Sequence, residues 1–187
     1  MEDACALLRR NAGDRSLPFL SINLSSQHFT DMDVVTGLAE RLAMTGFPAD
    51  RLKVELTETA LVHDPHQAYE VMCRIKDLGV TLALDDFGTG YSSLSYLHKF
   101  PFDVLKIDQS FVRALGEVGR THHIVETIIT LARRMGMEVV AEGVETADLI
   151  RPLRELGCTF GQGYHYSRPV PADVMGGMLD RPIASRG

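Results

Sequence analysis

"LKVELTE", residues 52–58, is the stretch on which the fold turns. Lys53, Val54, Glu55, Leu56 and Thr57 alternate polar with apolar side chains, the period of a strand whose two faces meet different surroundings. The same alternation runs through Ser21-Ile22-Asn23-Leu24-Ser25 and Leu105-Lys106-Ile107-Asp108. With "FLSINLS" (19–25), "VTLALDD" (80–86), "DVLKIDQ" (103–109), "EVVAEGVE" (138–145) and "CTFGQGY" (158–164) it makes a set of six candidate strands. Helical patterns lie between most of them, among them the stripes Ala68, Val71, Met72, Ile75, Leu78 and Ile124, Ile128, Leu131, Ala132, Met135. Gly46, Gly79, Gly136 and Gly157 each end such a pattern and lead into a strand, where a left-handed residue closes a helix.

Strands alternating with helices predict parallel strands joined by right-handed crossovers. Sheets covered by helices on both faces read as continuous apolar runs. Here the apolar set can face helices, but the polar set needs an interior, which a closed barrel provides. The reading is therefore α/β, a TIM-like (β/α) barrel, whose strand ends at the carboxyl side form the active-site rim. The alternative is an antiparallel sheet with one wet face, which the intervening helices do not fit. Six β/α units fall short of the eight of a complete barrel, which typically takes about 250 residues. Two units are expected to be missing at one end.

The chain has 187 residues, 45% of them hydrophobic, and a formal net charge of −6, which suits one soluble domain with a substantial core. The acidic balance argues against general nucleic-acid binding. No apolar run reaches the roughly 18 residues that span a bilayer, and "MEDACALLRRNAGDR" lacks a signal-peptide stretch. Cys5, Cys73 and Cys158 read as buried thiols, so a cytoplasmic setting is expected.

Asn23, Glu55, Asp85 and Lys106 sit late in four successive strands, each on the polar alternation. In a parallel barrel they would share one rim, and their oxygens suit hard cations such as Mg²⁺ or Mn²⁺. Adjacent Asp85 and Asp86 cannot share a face of a regular strand. Both can swing toward a metal pair where the strand gives way to "FGTG", with Gly88 and Gly90 permitting a sharp turn. Taken alone, "DDFGTG" is equally an ordinary acidic turn, Lys106 could pair with Asp108, and Glu58 could cap a helix. His63, His66, His98, His122, His123 and His165 show no metal-ligand spacing, and Tyr164 and Tyr166 read first as packing residues, with a base-stacking platform as the alternative.

"SINLS", "ELTET", "LALDDFGTGYSSL", "LKIDQSFV", "VVAEGVET" and "GQGYHYSRP" follow one another in an order that resembles the EAL-domain cyclic di-GMP phosphodiesterases. The resemblance implies a two-metal phosphodiesterase on a TIM-like barrel that opens cyclic di-GMP to linear pGpG. It implies Mg²⁺ or Mn²⁺ as cofactor, with Ca²⁺ inhibitory. Motif by motif, Asn23, Glu55, Asp85 and Asp86 match metal ligands, with Asp85 bridging. Lys106 matches the residue that orients or deprotonates the attacking water. Glu142 matches a residue at the metal centre, and Gln162 a polar group near the nucleophile. Glu58 and Glu145 match supports of the loop after "DDFG", a flexible catalytic loop that maps onto Phe87 to Leu94. A sensory or GGDEF-type domain in a longer parent also follows from the resemblance; a homodimer or oligomer is expected instead from the strand edge that an incomplete barrel would expose at "FLSINLS".

One departure bears on activity. No Glu-Ala-Leu tripeptide occurs in the chain, although its Glu is a metal ligand in the family. The expectation is an EAL domain over 1–187 that is partial, without its first two strands. A catalytically silent cyclic di-GMP receptor or protein-interaction module is the alternative, and an unrelated metal-dependent lyase on a TIM barrel a third class.

Overall fold

Among the described residues six parallel strands pair in chain order, each with the next, into a curled half-barrel. They are β1 (Leu20–Asn23), β2 (Leu52–Thr57), β3 (Thr81–Phe87), β4 (Val104–Ile107), β5 (Glu138–Ala141) and β6 (Phe160–Gly161). Among the described residues the helices include α1 (Asp33–Thr45), α2 (Pro65–Asp77), α3 (Leu94–Lys99), α4 (Gln109–Arg113), α5 (Thr121–Arg134), α6 (Ile150–Glu155) and α7 (Ala172–Leu179). This computed structural model describes residues 1, 4–6, 8, 18–24, 33–61, 64–88, 94–116 and 121–179. Among these, β1 and β6 each pair on one side only.

The expected alternation is realised most fully in β2, where Leu52 to Leu56 are all buried, Lys53 and Glu55 included. Leu52, Val54 and Leu56 join the apolar core beneath the helices. The opposite face carries Lys53 and Glu55 into the concave side of the sheet. Near the amino end of the strands, Lys53 lies 3.7 Å from Glu138 and over the Phe19 ring, 4.2 Å from its centroid. Glu55 lies one layer up, toward the carboxyl ends.

Helix α2 forms as the sequence predicts. Asp64 caps it by accepting from the His66 and Gln67 amides, and Pro65 starts it with its φ already helical. Its buried stripe is Ala68, Val71, Met72 and Ile75, each large member contributing about 1.5–3 kcal/mol by leaving water. Gly46, Gly79, Gly136 and Gly157 all have positive φ, as helix-closing residues should. The stripe expected on α5 is rotated. Val125, Ile128, Ile129 and Ala132 are buried, whereas Ile124 and Met135 are exposed. Val125, Ile129 and Ala132 repeat at the same helical spacing, so the sequence offered two overlapping stripes, and docking on β4 and β5 selects one of them.

The last two expected strands are cut back most. β5 stops at Ala141 because the chain turns at Gly143, whose φ is +67°. β6 keeps two residues, beside a Gly163 that lies against the Val144 backbone where a Cβ would come within 2.3 Å.

Candidate metal centre

The site begins with an irregularity in β3. Leu84 pairs with Leu105, but the next matched pair is Phe87 with Ile107, so β3 takes three steps where β4 takes two. This is a β-bulge, and Asp86 carries it at a φ of +53°, a left-handed conformation that Asp tolerates better than most residues. Holding it costs roughly 1–2 kcal/mol. The return is geometric: ligand oxygens of Asp85, Asp86 and Glu142 lie within 4.8 Å of one another. A regular strand would have sent Asp85 and Asp86 to opposite faces.

Lys106 stands at the centre of this rim. Its Nζ is 2.7 Å from Glu55 Oε2, 2.7 Å from Asp85 Oδ1 and 2.7 Å from Glu142 Oε1. Glu55 and Asp85 therefore converge on one nitrogen, and the side chain that joins them is only 6% exposed. Asp108, the partner that proximity in sequence suggested, instead caps α4 by accepting from the Ser110 amide.

The electrostatics follow from this crowding. Burial pulls the Lys106 pKa down, but the hydrogen bonds it donates to Asp85, Glu142 and Glu55 outweigh it, and the net shift is upward. Desolvation raises Asp86, and the charge of Asp85 adds to it. Desolvation also raises Glu142, against the pull of Lys106. The rim thus carries an excess of carboxylates that one ammonium only partly neutralises.

Does this donor set fit a metal? All of the candidate ligands are oxygens, the choice of hard divalent cations. Asp85 Oδ1 is buried and has Lys106 Nζ beside it at 2.7 Å, and a carboxylate oxygen engaged by one ammonium keeps a second lone pair for a cation. Asp85, Asp86 and Glu142 form the core of such a site, with Glu55 adjoining through Lys106. Asn23 pairs in register with Glu55 at the end of β1 and is exposed at the sheet's edge.

Glu58 opens the turn after β2 and accepts from the Gly88 amide at 2.9 Å, which pins the backbone just past the two aspartates. Gly88 has a φ of +101°, and a Cβ there would come within 2.6 Å of the Phe111 ring. Sequence reading singled out Gly88 and Glu58 but missed Phe111, whose only sequence signal is its place in "QSFV" on α4. Residues 89–93 of the expected catalytic loop, Ser25 of the first expected strand and His63 lie outside the described residues.

Beside Glu142 a cleft of about 260 Å³ opens, walled by Asp86, Arg113, Glu145, Gln162 and Tyr164. Gln162 follows β6 and is zipped to the "AEGV" segment: its amide donates to Ala141 and its carbonyl accepts from Val144. Glu145 accepts from Arg113 Nη2 at 2.6 Å. A larger hollow of about 560 Å³, between Pro65 and Phe100, is lined by none of the rim residues.

Two expectations need correction. Tyr164 and Tyr166 are not packing residues; both are more than half exposed. His122 and His123 do reach a metal-type grouping with Glu126, their ligand atoms within 4.8 Å on the surface of α5. Neighbouring residues at the start of a helix diverge in direction, and only their long, exposed side chains let them meet. No helix among the described residues is long and apolar enough to cross a membrane.

Comparison with known proteins gives a consistent picture. The family model described as the EAL domain matches residues 1–169. A Pseudomonas aeruginosa protein named as the cyclic di-GMP phosphodiesterase NbdA is 40% identical over 152 residues, covering 81% of this chain and 19% of that protein. The EAL domain of Mycobacterium smegmatis DcpA superposes with a TM-score of 0.87 at 36% identity, covering 95% of this chain and 81% of that one. Klebsiella pneumoniae BlrP1, solved with manganese and cyclic di-GMP, superposes with a TM-score of 0.79 at 34% identity, over 89% of this chain and 42% of that one. The chain spans about a fifth to a quarter of the length of the curated relatives it matches.

Proposed function

The chain belongs to the EAL domain family, and from that premise we propose that it is a metal-dependent phosphodiesterase that opens cyclic di-GMP to linear pGpG. The observation that carries the reading is the meeting of Asp85, Asp86 and Glu142 around a buried Lys106. Asp85, Asp86 and Glu142, joined by Glu55 and Asn23, would hold Mg²⁺ or Mn²⁺. Bound there, such cations would acidify a water and neutralise charge on the phosphate oxygens.

Hydrolysis forms a bond from the water oxygen to phosphorus and breaks the bond to the ribose 3′-oxygen, which must receive a proton. Lys106 would hold and move that proton at Nζ, a role its position among Glu55, Asp85 and Glu142 supports. In the arrangement seen here its three carboxylate partners keep it an ammonium. It yields the proton more readily once the charge of Asp85 and Glu142 is engaged elsewhere. Glu58 and Phe111 keep the turn at Gly88 in place, and so keep both aspartates aimed at the rim. Gln162, at the cleft wall, offers its amide to the attacking water or a phosphate oxygen.

A second reading, a silent receptor for the same nucleotide, is favoured by one observation: these 187 residues hold no Glu-Ala-Leu tripeptide, the motif whose Glu the family resemblance implies as a metal ligand. Incubation of the chain with cyclic di-GMP and Mn²⁺ in ¹⁸O-enriched water separates the two. The enzyme reading expects pGpG carrying one ¹⁸O at its 5′-phosphate. Tight binding with intact cyclic nucleotide would support the receptor, and neither binding nor product would end both readings.

A further inference from the structure

Metal-type groupings form at two places among the described residues, and they differ in donor chemistry. The rim group, Asp85, Asp86 and Glu142, offers oxygens alone. The second, His122, His123 and Glu126 on α5, offers two imidazole nitrogens and one carboxylate oxygen, all within 4.8 Å of one another. Hard cations such as Mg²⁺ favour the first set, whereas imidazole suits Zn²⁺, Cu²⁺ and Ni²⁺. The phosphodiester chemistry at the rim makes no use of the second group.

Helical geometry brings these three donors together. Glu126 lies four residues after His122 and three after His123, the two spacings that make side chains neighbours on a helix surface. His123 Nδ1 stands 3.5 Å from Glu126 Oε2. Two ligands about 2.0–2.2 Å from a tetrahedral zinc are themselves roughly 3.3–3.6 Å apart, so this pair already has the spacing of neighbouring ligands. The His122 ring stands edge-on to that of His123, with 6.0 Å between centroids. No two donors are further apart than 4.8 Å, so side-chain rotation that closes about 1–1.5 Å completes the set. The backbone beneath is held. Val125 and Ile129 are fully buried, and the Thr127 hydroxyl donates to the His123 carbonyl at 2.6 Å. The donors remain open to solvent, His123 at 81% and Glu126 at 54% exposure.

We propose that His122, His123 and Glu126 form a second metal site on the surface of α5, which binds Zn²⁺ through two imidazole nitrogens and one carboxylate oxygen and leaves a fourth position to water. An ordinary ion pair between His123 and Glu126 would need those two residues alone, and His122 would be indifferent to it. The site is independent of the phosphodiesterase reading, since no rim residue takes part in it.

The test is a competition titration of Zn²⁺ against a chromophoric chelator at pH 7.5, on the untagged chain in excess Mg²⁺. The native chain should take up a Zn²⁺ ion whose binding His122→Gln and His123→Gln each weaken at least about tenfold, a loss that even changes beyond the ligands reach. Asp85→Asn should leave that ion in place. A second readout is the electron paramagnetic resonance spectrum of the chain with one equivalent of Cu²⁺. It should show hyperfine splitting from two imidazole nitrogens in the native chain and from one in either histidine variant. Zn²⁺ affinity that stays within about twofold of native in His122→Gln would overturn the proposal. So would a native Cu²⁺ spectrum with a single nitrogen, or a native chain that takes up no Zn²⁺. None of these results would touch the rim or the function read from it.

Discussion

Replacing Lys106 by methionine would remove the ammonium that Glu55, Asp85 and Glu142 share while leaving a side chain of similar length. Each carboxylate lies 2.7 Å from Nζ, and side-chain exposures run from 6% for Lys106 to 18% for Glu142. Removing one partner of a buried ion pair typically costs about 3–5 kcal/mol, because the remaining charge is left without compensation. Protonation of Glu142, already favoured by burial, would relieve part of the strain, so the total should stay in that range rather than triple. For a chain of 187 residues the loss corresponds to a fall in Tm of about 10 °C. The assay is thermal unfolding in EDTA at neutral pH, repeated with Mn²⁺. The deficit should shrink with Mn²⁺, since a divalent cation supplies the missing positive charge, and also at acid pH, where the carboxylates take up protons. The lysine's pKa is raised, so its contribution is complete below the ordinary lysine value of about 10.4 and is lost only as pH climbs through the raised one. A Tm within about 2 °C of the native chain in EDTA would refute the reasoning.

Other consequences are independent of that one. Asp85→Asn should weaken Mn²⁺ binding at least about tenfold in titration calorimetry, and activity with it, a scale that even outer-shell substitutions reach. Gly88→Ala should destabilise the "DDFG" turn and abolish most turnover, because its φ is +101° and its Cβ would meet Phe111 at 2.6 Å; adding Phe111→Leu should restore only the packing share. With metal absent, stability should decline as pH rises from the ordinary carboxylate range of about 4 through the raised pKa values of Asp86 and Glu142, because ionisation costs more in the folded state. Unfolding curves across pH, in which stability instead climbed over that window, would contradict it. The edges of β1 and β6 should pair with a second copy, giving a dimer or larger mass by light scattering, and a segment carrying Glu-Ala-Leu should suppress that pairing.

Much of the fold was legible because it rests on local rules. Alternation in "LKVELTE" announced a strand with a polar inner face, and the four helix-closing glycines took the positive φ their positions required. The rim was legible as a list of residues but not as an arrangement. Nothing in "LALDDF" specifies that Asp86 takes a left-handed φ and a bulge, since that depends on pairing with β4. The family resemblance matched Lys106 to the residue that orients or deprotonates the attacking water, and spacing alone said nothing of its partners. Three carboxylates from β2, β3 and the end of β5 converge on it, however, and hold its proton. The contacts of Arg113 with Glu145 and of Lys53 with Glu138 join residues far apart in the chain, and no spacing announces them. On α5 the periodicity was real but ambiguous, since two apolar stripes overlap and only the sheet decides between them.

The most direct measurement is an anomalous difference map at the manganese edge from crystals of the chain soaked in Mn²⁺. The account predicts manganese bound by carboxylate oxygens of Asp85, Asp86 and Glu142, with Lys106 Nζ drawn away from Asp85 or Glu142. Manganese absent from Asp85, with Lys106 still held by Glu55, Asp85 and Glu142, would contradict it.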